Sequence, residues 1–188
     1  MNIGVLAVQG AFAEHIITLE KLDATGFEIR KKADLARTFD GIILPGGEST
    51  VMGKLLTELS MLDLLRDLIK NGMPVLGTCA GMILLAKRIG NTEASYLGTM
   101  DIAVKRNAYG RQLGSFNAFE EYGGTKIKMP FIRAPYIESV GSGVEIMSVV
   151  DGNIVAAKQD NQIAVSFHPE LTGETHVHKK FLELAGKQ

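Results

Sequence analysis

One cysteine in 188 residues rules out an internal disulfide and suits a reducing compartment. The formal net charge is −1, and apart from Arg30-Lys31-Lys32 no run of Lys or Arg exceeds two. Neither nucleic acid nor an anionic membrane therefore has an electrostatic case as a partner. No apolar stretch approaches the length of a membrane span. Met1 to Val8 lacks a basic n-region and is too short and too interrupted by Gly and Gln for a signal peptide. Linkers, internal repeats and low-complexity segments are also missing. These absences leave a soluble, cytoplasmic protein as the expectation. With 46% hydrophobic and 22% charged residues, residues 1–188 are read as a single domain, which at this length buries roughly 70% of its unfolded surface.

What is present begins with a near-continuous apolar run, Ile3-Gly4-Val5-Leu6-Ala7-Val8, the mark of a strand buried on both faces. Phe12, Ile16, Leu19 and Leu22 then recur at helical spacing, and Gly26 is expected to close that helix. Phe27–Arg30 reads as a second strand, Ala33–Arg37 as a short helical piece, and Gly41–Leu44 as a third strand. Such alternation argues for a parallel sheet with right-handed crossovers. Two helical stretches follow, the longer holding Leu59, Leu62, Leu65, Leu68 and Ile69 and ending at Asn71-Gly72. Pro74 opens a further strand, and Met82–Lys87 reads as another helix. From about Met100 to Val165 the chain changes to short strands with turn signals. Asp151-Gly152 between Ile146–Val150 and Ile154–Ala157 is a strong hairpin signal. His176–Leu184 is expected to be a closing helix.

Chemistry concentrates at Gly77-Thr78-Cys79-Ala80-Gly81, a Gly-x-Cys-x-Gly turn between strand and helix. In the serine version of this turn a strained corner exposes the nucleophile above the sheet edge, and glycines flank it because a Cβ would collide there. A helix N-terminus also favours the thiolate. The plain alternative is that Cys79 is a small buried hydrophobe. Pro45-Gly46-Gly47-Glu48-Ser49-Thr50 leaves the third strand at the same sheet edge, where open α/β sheets bind ligands. It lacks the lysine and spacing of a Walker phosphate loop, and Glu48 would repel phosphate. An oxyanion hole from the Gly47 and Ala80 N–H groups is the better chemical reading, beside a plain tight turn.

Phe167-His168-Pro169-Glu170 follows the last strand. A histidine there could reach Cys79 and act as general base and then acid, with Glu170 holding its other nitrogen. A surface His-Pro turn remains the alternative. Arg106 and Arg133 could each grip a substrate carboxylate or simply form surface ion pairs. His176 and His178 would diverge on a helix, and no other ligand cluster is visible, so no metal or other cofactor is expected. His15, beside Glu14, is expected to be exposed or to cap its helix.

Taken together, the elbow, the upstream Pro-Gly-Gly loop and the late His-Pro-Glu, in that order, resemble the class I (triad-type) glutamine amidotransferases. Within them the chain is similar to the family of glutaminase subunits of pyridoxal 5′-phosphate synthase. That likeness rests on Gly4–Phe12 with Glu14-His15, Leu44–Thr50, Gly77–Met82, Arg106–Gln112, Phe131–Pro135 and Val165–Leu171, and spans essentially the whole chain. Two local departures are the short stretch Lys87–Thr99 and Ala118-Phe119 within Ser115–Glu121.

The resemblance implies an α/β, flavodoxin-like fold: a mostly parallel central sheet flanked by helices, with added antiparallel strands in the second half. It implies a Cys79, His168, Glu170 triad, with glutamine bound by Gly47, Glu48, Ser49, Arg106, Ile132 and Arg133. Hydrolysis of L-glutamine through a γ-glutamyl thioester would deliver ammonia to a synthase subunit in a hetero-oligomer, for vitamin B6 synthesis. The first helix, with Gln9 and Gly10, is a candidate docking surface for that subunit. Two rival readings are another amidotransferase subunit, such as that of imidazole-glycerol-phosphate synthase, and a non-enzymatic relative with Cys79 as a redox sensor. The Val8–Phe12 start and the Arg106–Arg111 segment argue against the first, and an intact His168 and Glu170 against the second.

Overall fold

The computed structural model of the chain describes residues 1–90, 95–106 and 115–186. Asn107 to Gln112, part of the segment that carries the family likeness, lie outside the described residues. In the first half β1 (Asn2–Leu6), β2 (Thr25–Ile29), β3 (Gly41–Leu44) and β4 (Val75–Thr78) alternate with α1 (Phe12–Glu20), α2 (Ser49–Glu58) and α3 (Leu62–Lys70). A short 3-10 turn, Lys32–Ala36, stands between β2 and β3. After β4 come α4 (Ala80–Leu85), β5 (Ala86–Ile89), β6 (Met100–Lys105), β7 (Ser115–Tyr122), β8 (Thr125–Ile132), β9 (Tyr136–Val140), β10 (Glu145–Val150), β11 (Asn153–Gln159), β12 (Gln162–Val165) and α5 (His176–Ala185).

Among the described residues one sheet runs β2-β1-β3-β4-β12-β11-β9-β6-β5, with β10 paired to β11, while β7 and β8 form a separate antiparallel pair. The pairings from β2 to β12 are parallel, and antiparallel pairing begins at β12 to β11. Apolar residues of the strands alternate between two cores, as a period of two requires. Ile42, Leu44 and Val75 face α2, α3 and α4 with Met52, Leu56, Leu65 and Leu84. Ile43, Leu76 and Val165 face α1, α5 and the β7–β8 hairpin with Leu19, Phe181 and Met129. Because β3 and β4 are buried throughout, they read as continuous apolar runs rather than alternating ones. Among the described residues no helix is long and apolar enough to cross a membrane.

Most element expectations hold, with three corrections. Gly26 does not close α1, which ends at Glu20; it lies in β2, where a Cβ would press on Ile16 and Leu19 at 3.1–3.2 Å. The absent side chain lets helix and strand pack closely. The helix after Cys79 stops at Leu85, because Ala86–Ile89 pairs with β6 and becomes a strand. Leu59 belongs to the end of α2, with Ser60 at φ +53° separating it from α3. At the hairpin signal, Asp151 and Gly152 both take positive φ and join β10 to β11 with Val150 opposite Asn153, the geometry that suits the twist of paired strands.

Candidate active site

Three neighbouring strands, β3, β4 and β12, end at the same edge of the sheet, and each delivers one part of the site. After β4 the chain turns sharply at Cys79, whose φ of 48° and ψ of −101° are unusual for a residue with a side chain. Its N–H donates to the Val165 carbonyl at 2.8 Å. The flanking glycines are required by close approach: a Cβ on Gly81 would run into the Leu44 carbonyl, and one on Gly77 into the Gly81 backbone. The sulfur is therefore aimed by the meeting of β3, β4 and α4, and only 7% of Cys79 is exposed.

β12 lies beside β4 with Val165 opposite Thr78. Three residues beyond Val165, His168 reaches back over the elbow. Its N–H donates to the Pro130 carbonyl at 2.9 Å, pinning it to β8. Pro169 opens a 3-10 turn that folds Glu170 under the ring, where Glu170 Oε1 meets His168 Nδ1 at 2.7 Å. The remaining ring nitrogen, Nε2, is the one left for Cys79, which lies close enough to favour the charged imidazole. Burial alone would lower the His168 pKa, but the bonds and charges of Cys79 and Glu170 outweigh it and push it up to about 10. The ends of β4 and β12 thus bring Cys79, His168 and Glu170 together at one edge of the sheet.

The loop after β3 forms the opposite wall. Gly46 packs flat against the His168 ring, where any Cβ would collide with Cε1. Its carbonyl accepts from the Ala11 N–H at 3.0 Å, and the Glu48 N–H donates to Gln9 Oε1 at 2.8 Å. Gln9 and Ala11 therefore hold the loop from behind. The Glu48 carboxylate caps α2, accepting from the Thr50 N–H and hydroxyl at 3.3 and 2.9 Å. A cleft of about 890 Å³ opens between these walls. Its lining includes Gly47, Glu48, Ser49, Cys79 and His168 together with Arg106, Ile132 and Arg133. Ile132 ends β8, and Arg133 follows at φ +43°. Ala80 is buried behind the wall as the first residue of α4, a position whose N–H has no partner within the helix.

Residues 5–187 match the model of the SNO glutamine amidotransferase family. The chain belongs to that family. A protein of Methanocorpusculum labreanum named pyridoxal 5′-phosphate synthase subunit PdxT is 58% identical over 98% of this chain and 97% of its own length. One of the same name from Desulfitobacterium hafniense is 55% identical over 97% and 92%. A solved structure described as a glutamine amidotransferase superposes with a TM-score of 0.93 at 42% identity, covering 98% of both chains.

In this member of the family one sequence expectation is corrected. His15 is neither exposed nor a cap: it is fully buried, with Nε2 at 3.2 Å from Thr78 Oγ1 and 3.6 Å from Glu170 Oε2. His178 is equally buried and meets His15 ring to ring. The signal was in the periodicity: His15 falls three residues after Phe12 and four before Leu19, on the apolar face. His176 and His178 do diverge, the first packing on Tyr122 and the second on His15.

Proposed function

We propose that the chain hydrolyses L-glutamine to L-glutamate and ammonia and passes the ammonia to the synthase subunit of a pyridoxal 5′-phosphate synthase. The alignment of Cys79, His168 and Glu170 at the floor of an open cleft carries the reading, and the names of relatives 55–58% identical over nearly their whole length support it. Glutamine lies in the cleft with its α-carboxylate and α-amino group held by Gly47, Glu48 and Ser49 on one side and Arg106, Ile132 and Arg133 on the other. The Cys79 thiolate attacks the side-chain carbonyl carbon. Negative charge moves to the carbonyl oxygen, where the Gly47 and Ala80 N–H groups receive it.

The His168 imidazolium then gives its proton to the departing nitrogen, the C–N bond breaks, and ammonia leaves a γ-glutamyl thioester on Cys79. Neutral His168 next takes a proton from water, whose oxygen attacks the thioester. Collapse of that intermediate expels the thiolate, releases glutamate and restores the ion pair. Ammonia that reaches bulk water is protonated and ceases to be a nucleophile, so direct transfer to the synthase subunit follows from its chemistry. The cytoplasm, a reducing compartment, keeps the thiol available.

The test is ammonia release from glutamine with and without the synthase subunit. Turnover is expected to be low for the isolated chain and stimulated by the partner, and Cys79→Ala is expected to lower it by roughly 10⁴-fold or more. Wild-type complex that releases no ammonia, or a Cys79→Ala complex that keeps its rate, overturns the reading.

A further inference from the structure

Behind Glu170 lies a pair of histidines that the chemistry above does not use. His15 comes from α1 and His178 from α5, and both rings are fully buried. His15 Nδ1 and His178 Nε2 stand 2.9 Å apart, with ring centroids at 5.1 Å. On its other side His15 Nε2 faces Thr78 Oγ1 at 3.2 Å and Glu170 Oε2 at 3.6 Å. Glu170 Oε1 is engaged by His168, whereas Oε2 is buried with no hydrogen-bond partner among the described residues, as is His178 Nδ1.

Two nitrogens at 2.9 Å must share one proton, and only two neutral arrangements are possible. If His15 Nδ1 carried the proton, its Nε2 lone pair would point at a carboxylate oxygen, and His178 Nδ1 would be a buried N–H with no acceptor. Both features cost free energy. In the reverse arrangement His178 Nε2–H donates to His15 Nδ1, and His15 Nε2 bears the hydrogen that faces Thr78 and Glu170. The group left over is then a lone pair on His178 Nδ1. Although His15 and Glu170 lie within ion-pair distance, burial first, then His178 and His168, hold the His15 pKa well below its ordinary value. The contact is therefore a neutral N–H facing a carboxylate.

We propose that His15 is a positioning residue for the glutaminase reaction: its Nε2–H steadies Glu170 Oε2 on the side away from His168, His178 fixes its tautomer, and Thr78, the residue before Cys79, ties it to the elbow. This rests on the glutaminase reading. A carboxylate held at one oxygen can swing about its last side-chain bond, and a donor on the second oxygen restrains that swing. At 3.6 Å the contact is longer than a hydrogen bond, so the N–H acts on Oε2 as an oriented dipole in a buried setting. A small displacement of an acid-base group costs rate steeply.

The experiment uses the complex with the synthase subunit, glutamine as substrate, and the variants His15→Phe and His15→Gln, whose amide nitrogen can replace Nε2. His15→Phe is expected to lower kcat about 10- to 100-fold while KM stays within about threefold. The ring titration of His168, followed by NMR on the labelled chain, is expected to move down by about one pH unit. His15→Gln is expected to recover most of both. If His15→Phe does not fold, His178→Leu takes its place, with a several-fold lower kcat and a smaller downward shift expected. An unchanged kcat and His168 titration in a folded variant, or a loss that His15→Gln does not relieve at all, overturns the proposal. Wild-type complex without ammonia release overturns the glutaminase reading instead, whereas the titration needs no turnover and decides the positioning contact on its own.

Discussion

The two sides of the Glu170 carboxylate hold one histidine at the wall of the cleft and one fully buried behind it, and give them opposite charge preferences. On the Oε1 side His168 is pushed up to about 10, because Glu170 and Cys79 more than offset its burial. Toward Oε2, His15 is held well below its usual value by burial, then by His178 and His168. His178 is lowered to about 4 by burial alone. Burial pushes all three the same way, least for His168 at the cleft; what reverses the outcome there is a negative partner at hydrogen-bonding distance. The 2.7 Å bond on one side and the 3.6 Å gap on the other mark that divide. A histidine that favours its charged form stands on one side and one that favours its neutral form on the other, with a single side chain between them.

Glu170→Gln is the largest blow to that contrast. The amide keeps the shape but removes the charge that favours a protonated His168, leaving both sides of residue 170 facing a neutral group. Ammonia release by the complex is expected to fall roughly 10³-fold, and the His168 titration to move toward its ordinary range. A variant with near wild-type turnover would mean that the carboxylate charge does not support the imidazolium.

How far the sequence could foretell this site depends on the range of the interactions involved. The elbow was legible because its signal is local: Gly77 and Gly81 are demanded by contacts within a few residues of Cys79 and with the neighbouring strand. The buried strands β1, β3 and β4 were legible because two-sided burial leaves an apolar run in the sequence. Strand order was not, since nothing near Gln162–Val165 says that it slots in beside β4. The end of α4 was missed for a similar reason, as Ala86–Ile89 becomes a strand only through β6. His15 was misread because its partner His178 lies 163 residues away, and a polar side chain on an apolar helix face can be recognised as buried only once that partner is in place. Its position on the face was readable; its burial was not.

The next effect in size separates the two sides by pH. Below about pH 6.5 an unfolded chain protonates His15 and His178, whereas the folded chain resists until far lower pH. Acid therefore draws the protein toward unfolding across the window from about 6.5 to about 4, and the stability that neutral His178 preserves above 6.5 is lost as pH falls through about 4. Its share is about 3 kcal/mol. His168 acts in reverse: its contribution is complete below about 6.5 and is lost as pH rises through about 10. Urea unfolding of wild type and His178→Leu at a series of pH values checks this. The variant is expected to start less stable near neutrality but to lose less between pH 6.5 and 4. Parallel losses would mean that His178 titrates normally in the fold.

The smallest effect lies at the sulfur end of the line and concerns strain rather than charge. Cys79 holds φ at 48°, a conformation that costs a residue with a Cβ of order 1–3 kcal/mol. Cys79→Ala and Cys79→Gly both remove the sulfur, so the charge relation with the His168 imidazole changes alike in the two. They differ only in the methyl group and in what the backbone tolerates. Glycine ordinarily weakens a fold relative to alanine by roughly 0.5–1 kcal/mol, but at positive φ that order reverses, because alanine retains the clash that glycine lacks. Cys79→Gly is therefore expected to unfold at higher urea than Cys79→Ala, by about 1 kcal/mol, although both are inactive. If alanine proves the more stable, the elbow relaxes without cost and the aim of the sulfur is set by packing between β4 and α4 alone.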